Sequence, residues 1–181
     1  YIGGAGSIVN DLIPQGLLDP FPKLLLPEAL DSKVWLNGQL AFVDKRKMAL
    51  AMVANPSPPF YFNTSLVKPG EVNSYRDLLN PKWMRKIIIN DPTTPGSAQF
   101  WFAIANNIMG TDYMRQLARQ EPVILRDRRL QVEWIARGRY PIGIGAESTV
   151  ISEFKTAGAP IKELMPVEGS YLSTGSGNIT L

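Results

Sequence analysis

Three stretches place small residues and a serine where a helix should begin: Gly3-Gly4-Ala5-Gly6-Ser7, Thr94-Pro95-Gly96-Ser97, and Gly145-Ala146-Glu147-Ser148 followed by Thr149. Small residues at a helix start leave several backbone N–H groups pointing at one place, and serine or threonine hydroxyls add donors. Such a site holds an anion without needing a formal cation. In the second stretch Thr94 is suited to cap the helix with Pro95 at its first position, leaving Gly96, Ser97 and Ala98 as donors. Ser7 suits the same role in the first stretch. Each stretch alone is also an ordinary strand-to-helix connection; their recurrence is what points to a ligand.

Two charged residues are further candidates, one at a fourth strand end and one within the third stretch. Arg126 follows a strand end, where it can grip a carboxylate or phosphate in two-pronged fashion, or simply pair with Asp127 on the surface. Glu147 either offsets the dipole of its own helix or, facing a ligand, favours a cationic group. The chain has no Cys and no His, which removes thiol catalysis, zinc sites built on those residues and every histidine triad. No Ser–Lys spacing suggests a catalytic dyad either, so no catalytic set is expected.

The positioning elements follow from periodicity. Ile87–Asn90 reads as a buried strand feeding a long helix from Ala98 to near Gly110, and Thr111 should cap the next helix. Trp101, Phe100 and Phe102 lie about 100° apart on the first of these helices, so most of them are expected in the core. Val123–Leu125, a helix bearing Leu130, Trp134 and Ile135, the strand Ile142–Ile144, a helix bearing Val150, Ile151 and Phe154, and the strand Ile161–Met165 complete a β-α-α-β-α-β-α-β order. That alternation predicts an α/β fold with a mostly parallel or mixed sheet and helices on its faces.

Earlier in the chain, Asn37-Gly38 between apolar runs predicts a hairpin over Val34–Val43. Ala49–Ala54 and Phe60–Phe62 are predicted strands separated by a proline-rich bend or stiff hinge at Asn55–Pro59. Tyr171-Leu172 is followed by a predicted loop over Ser173–Gly177 and a final strand, Asn178–Leu181. With 45% apolar and 19% charged residues the composition is globular, and the net charge of +3 comes from scattered basic residues. The clusters Lys45–Arg46–Lys47 and Arg126 with Arg128 and Arg129 lack the interleaved aromatics of a nucleic-acid surface, so solvated faces and no nucleic-acid partner are expected. No apolar run approaches the roughly 20 residues that span a bilayer, so no membrane insertion is expected. Tyr1 and the apolar close at Leu181 suggest an internal piece of a longer chain.

The ordered set DLLNPKWMRKIIINDPTTPGSAQFWFAIANNIMGTDYM (77–114), PVILRD (122–127), GRYPIGIGAES (138–148), TAGAPIKELMPVEG (156–169) and GNITL resembles bacterial extracellular solute-binding proteins. These are the receptors of ABC importers in the ferric-iron, polyamine, thiamine and phosphonate group, and DKRKMALAMVANPSPPFYFNTSLV (44–67) resembles their hinge-crossing strands. The resemblance implies a type-2 periplasmic binding protein fold with one nearly complete lobe and part of the other. Residues 1–65 would be the partial first lobe and hinge strands, 66–170 the second lobe, and 171–181 the return crossing. It further implies a non-catalytic receptor, periplasmic or lipid-anchored outside the cell, that traps a small solute in an interlobe cleft and passes it to the importer's membrane subunits. No cofactor or metal is expected. Its ligand-contacting positions map onto Ser7, Thr94, Gly96, Ser97, Ala98, Glu147, Ser148 and Thr149, with Arg126 a lesser candidate. Iron-binding members carry a tyrosine pair after the strand that here reads IGIG, whereas this chain has Ala146-Glu147-Ser148, so a small anion such as a phosphonate, phosphate ester or carboxylate is the expected solute. The alternatives are a ferric-iron or polyamine receptor, or the effector-sensing domain of a transcription regulator of the same fold.

Overall fold

Isoleucines 87 to 89 are buried on both sides of a strand, and this double burial organises the larger part of the structure. A computed structural model describes residues 2–4, 8–35, 38, 40–94 and 96–177. Its strands are β1 (Ile2–Gly4), β2 (Leu50–Ser57), β3 (Phe60–Asn63), β4 (Ile87–Asn90), β5 (Val123–Leu125), β6 (Ile142–Ile144), β7 (Ile161–Leu164) and β8 (Tyr171–Gly177). The α-helices are α1 (Ser97–Met109), α2 (Thr111–Arg119), α3 (Arg128–Ala136) and α4 (Ser148–Thr156). The chain divides into two compact units, Tyr1–Asn55 with Leu172–Leu181, and Pro56–Tyr171.

The second unit is a five-stranded sheet in the order β5-β4-β6-β3-β7. β4 runs parallel to β5 and β6, while β3 is antiparallel to β6 and β7. Strand residues alternate between two cores, as a period of two requires. Phe60, Phe62, Ile87, Ile89, Ile142 and Ile144 pack with Trp101, Ala105, Tyr113 and Leu117 of α1 and α2. Tyr61 and Ile88 pack on the opposite face with Val132 and Ile135 of α3 and Ile151 of α4. The sheet is therefore mixed and covered by helices on both faces, in agreement with the α/β expectation.

Three uncharged side chains tie strand ends to their neighbours. Asn63 donates through Nδ2 to the Ile135 carbonyl at 2.8 Å, closing the C-terminus of α3 against β3. Asn90 donates to the Leu125 carbonyl at 2.8 Å, joining the ends of β4 and β5. Gln131, fully buried, donates to the Ile144 carbonyl at 2.9 Å and the Ile88 carbonyl at 3.3 Å, so it locks α3 across β6 and β4.

The first unit contains the sheet β1-β8-β2, with β1 and β8 antiparallel. Several local expectations are corrected here. Val34 belongs to a 3-10 turn, Ser32–Val34, because Asp31 accepts from the Lys33 N–H and bends the chain; Asn37 lies outside the described residues. The reversal falls instead at Asp44, whose carboxylate accepts the N–H groups of Arg46, Met48 and Ala49 while Phe42 bridges Leu50. Asn55-Pro56-Ser57 continues β2 rather than bending away from it, which proline permits because β2 is an edge strand. Ser173–Gly177 is strand, not loop: β8 is the middle strand, and its backbone pairs on both sides whatever its side chains are. Residues 178–181 lie outside the described residues.

Candidate functional site

β5, β4 and β6 are adjacent and parallel, so their C-terminal ends open at one edge of the second unit's sheet. From these ends the chain passes directly into α3, α1 and α4. In α/β sheets this edge is where ligands bind. Two of the three small-residue stretches meet here. A Cβ added at Gly145 would lie 2.7 Å from the Cα and Cβ of Ala98, so the end of β6 is packed directly on the first turn of α1. Gly145 has φ +77°, a conformation that glycine adopts without cost. The third stretch, Ala5–Ser7, lies outside the described residues.

The helix starts differ in how they are capped. Asp127 caps α3, accepting from the Leu130 N–H at 2.9 Å. α1 is capped by Gly96, which has no side chain to offer, and α4 by Glu147, whose carboxylate makes no capping bond. Ser97 and Ser148 are therefore the first helical residues, not the caps. Thr94 is also not a cap: its hydroxyl donates to the Asp91 carbonyl at 2.8 Å, closing the turn that precedes Gly96. Pro95 lies outside the described residues. Gly110, rather than Thr111, caps α2.

Asp91 braces the loop between β4 and α1. Its Oδ1 accepts from the Thr93 N–H at 2.9 Å and the Thr93 hydroxyl at 2.6 Å, and its Oδ2 accepts from Arg126 at 2.9 Å. Arg126 thus pairs with Asp91, not with Asp127, whose carboxylate is engaged in capping α3. The Thr93 hydroxyl, then Arg126, hold the Asp91 carboxyl down at about 2 against an ordinary 3.8. The folded protein therefore binds this proton less readily than the unfolded chain. The resulting stability is present in full above pH 3.8 and is lost as the pH falls through about 2. Asp91→Asn should flatten the acid loss of stability in that window, as measured by urea midpoints between pH 5 and 2; an unchanged acid slope would refute this role.

A residue that sequence reasoning set aside as solvated surface occupies the edge. Arg128, the first residue of α3, hydrogen-bonds and ion-pairs with Glu147. Its guanidinium lies against Gly96, where any Cβ would collide with it. The ion pair thus crosses from the start of α3 to the start of α4 beside the start of α1. The available signal was Asp127: an Asp just ahead of the apolar-periodic run Leu130, Trp134 and Ile135 is an N-cap candidate, which puts Arg128 at the first helical position after a strand end. Ser97 is half-buried here, Ala98 buried, and Ser148 and Thr149 are exposed. Of the aromatics on α1 only Trp101 is buried. Phe100 and Phe102 are 46% and 43% exposed, and Phe100 stacks on Tyr171 at 5.9 Å between ring centroids.

No protein-family model and no curated protein matches the sequence. Solved structures do match. The periplasmic binding protein AfuA from Actinobacillus pleuropneumoniae, with fructose-6-phosphate bound, superposes with a TM-score of 0.70 at 23% identity, over 97% of this chain and 55% of that one. A Trichodesmium protein (IdiA, FutA) in complex with iron and citrate gives 0.73 at 17% identity, over 100% and 59%. Iron-bound HitA from Pseudomonas aeruginosa gives 0.68 at 15% identity, over 99% and 57%. The chain spans little more than half the length of these proteins. At these identities the likeness is one of backbone architecture, and it shows that the chain has the type-2 periplasmic binding protein fold.

Proposed function

We propose that this chain is part of the solute-binding receptor of an ABC importer, and that its second unit holds the anionic group of a small solute. The observation that carries this reading is the meeting of the α1 and α4 starts at the C-terminal edge of β4 and β6, both lacking a side-chain cap, with Arg128 alongside. Helix starts and a guanidinium together favour a phosphate ester, phosphonate or carboxylate. Gly96, Ser97, Ala98, Ser148 and Thr149 are the proposed donors, with Ser7 and Thr94 further candidates from the resemblance. The ligands in two of the similar structures, a sugar phosphate and iron with citrate, both include an anion. Capture by hinge closure, transfer to importer membrane subunits and a location outside the inner membrane belong to the same proposal. No turnover is part of it.

Arg126 is the weaker candidate, since Asp91 already engages it. Ferric iron held by tyrosinates is not favoured at Ala146–Ser148, where no tyrosine stands. The neighbouring Tyr140 is stacked on Trp134 at 5.9 Å instead.

A thermal-shift screen of the full-length protein against inorganic phosphate, phosphonates, sugar phosphates, citrate and polyamines tests the reading. A ligand at about 100 times its Kd stabilises by roughly 2.7 kcal/mol, a readily measured shift. Anions should raise the melting temperature and polyamines should not; the reverse pattern rejects the proposal.

A further inference from the structure

We infer that Glu147 is an intramolecular counter-ion, occupying the place on Arg128 that the anionic group of the solute takes when it binds. This rests on the reading of the second unit as an anion-holding wall. As the N-cap of α4, Glu147 is placed to accept an N–H from its own helix, yet it makes no such bond. Its carboxylate reaches instead to the Arg128 guanidinium, 19 residues back in the chain. The two side chains are 41% and 30% exposed, so solvent and small solutes reach the pair. Gly96 leaves room for the guanidinium against the start of α1, and Gly145 brings the end of β6 onto the same turn. The carboxylate of Glu147 therefore lies where an incoming anion would find both the guanidinium and the helix starts.

Exchange has a defined energetic character. A free anion must displace a tethered carboxylate, so the gain from the guanidinium is the difference between two similar charge-assisted hydrogen-bonded pairs. A solute with one weak anionic contact is thereby disfavoured. A solute that also donates hydroxyl groups can bond the released Glu147 carboxylate and so recover part of the lost pairing. The class of solute this selects is a hydroxylated anion, such as a phosphate ester of a polyol, over a bare inorganic anion.

Titration calorimetry on the full-length protein, with inorganic phosphate and glycerol phosphate as probes, tests the exchange. Glu147→Gln should tighten inorganic phosphate by about tenfold, because the competing charge is gone. It should tighten glycerol phosphate less, narrowing the preference between the two. Combining it with Arg128→Gln should abolish the gain. Glu147→Ser, which supplies a favourable helix cap, should tighten inorganic phosphate similarly and guards against a folding defect in the first variant. If the wild type binds the probes and both Glu147 variants bind inorganic phosphate no more tightly, the counter-ion role is wrong while the receptor reading stands. If no anion binds the wild type or either variant, both are wrong.

Discussion

Gly145→Ala should lower the stability of the second unit by roughly 2–5 kcal/mol, the sum of two separate costs. A non-glycine residue at φ +77° costs about 1–2 kcal/mol. The added methyl would then lie 2.7 Å from the Cα and Cβ of Ala98, and overpacking against backbone costs about 1–3 kcal/mol more. The flexible end of a side chain could move aside, but the first turn of a 13-residue helix cannot move alone. Urea unfolding should show a lower midpoint with an unchanged slope. The same substitution pushes the start of α1 away from the start of α4, so anion binding should weaken even in the fraction that remains folded. An unchanged midpoint would mean that Gly145 is not the point of closest approach between β6 and α1.

Gly143→Ala is expected to cost roughly 2–3 kcal/mol for a different reason. Here space rather than backbone conformation is limiting, because the Tyr61 ring lies over Gly143 and would overlap the new methyl. Tyr61 is 1% exposed, and its hydroxyl has no hydrogen-bond partner among the described residues. Burial accordingly pushes its ionisation well above the usual tyrosine range. Two further substitutions separate ring from hydroxyl. Tyr61→Phe should stabilise by about 1 kcal/mol, since it removes an unpaired buried group and keeps the ring. Tyr61→Ala should cost about 3–5 kcal/mol alone, but less than additively with Gly143→Ala, because the clash disappears with the ring. Additivity within about 0.5 kcal/mol would show that the ring and the glycine are not coupled.

The sheet of the second unit was legible because its residues answer to local rules. Ile87, Ile88 and Ile89 are apolar without alternation, as a strand covered on both faces must be, and the helices that follow carry their apolar residues at helical spacing. Legibility failed where a distant partner overrides the local signal. Ser173–Gly177 has the composition of a loop, yet it forms the middle strand of a sheet because backbone groups on both sides pair with it. The hairpin expected over Val34–Val43 failed for a local reason instead: Asp31 and Asp44 each bend the chain by accepting a backbone N–H two residues on, which puts Val34 in a 3-10 turn. At the candidate site, Gly96, Ser97, Ala98 and Ser148 stand where strand-to-helix turns were expected. Arg128 was missed because its importance comes from reaching Glu147, and nothing in a three-residue basic cluster says which member reaches furthest. Arg126, the member selected from sequence, is committed to Asp91.

The amide ties made by Asn63, Asn90 and Gln131 carry a consequence for tolerance of the surrounding medium. None of the three groups titrates, and bonds between uncharged groups are barely altered by dissolved salt, whose ions act on exposed charges over about 10 Å at 0.1 M. The frame that aligns the ends of β4, β5 and β6 should therefore keep its shape through large swings in salinity. The Arg128–Glu147 pair, partly open to solvent, should not be so indifferent. A protein built this way separates what must stay constant from what can respond: neutral groups tie the strands to one another and to α3, while the strength with which that edge holds a charge varies with the water around it.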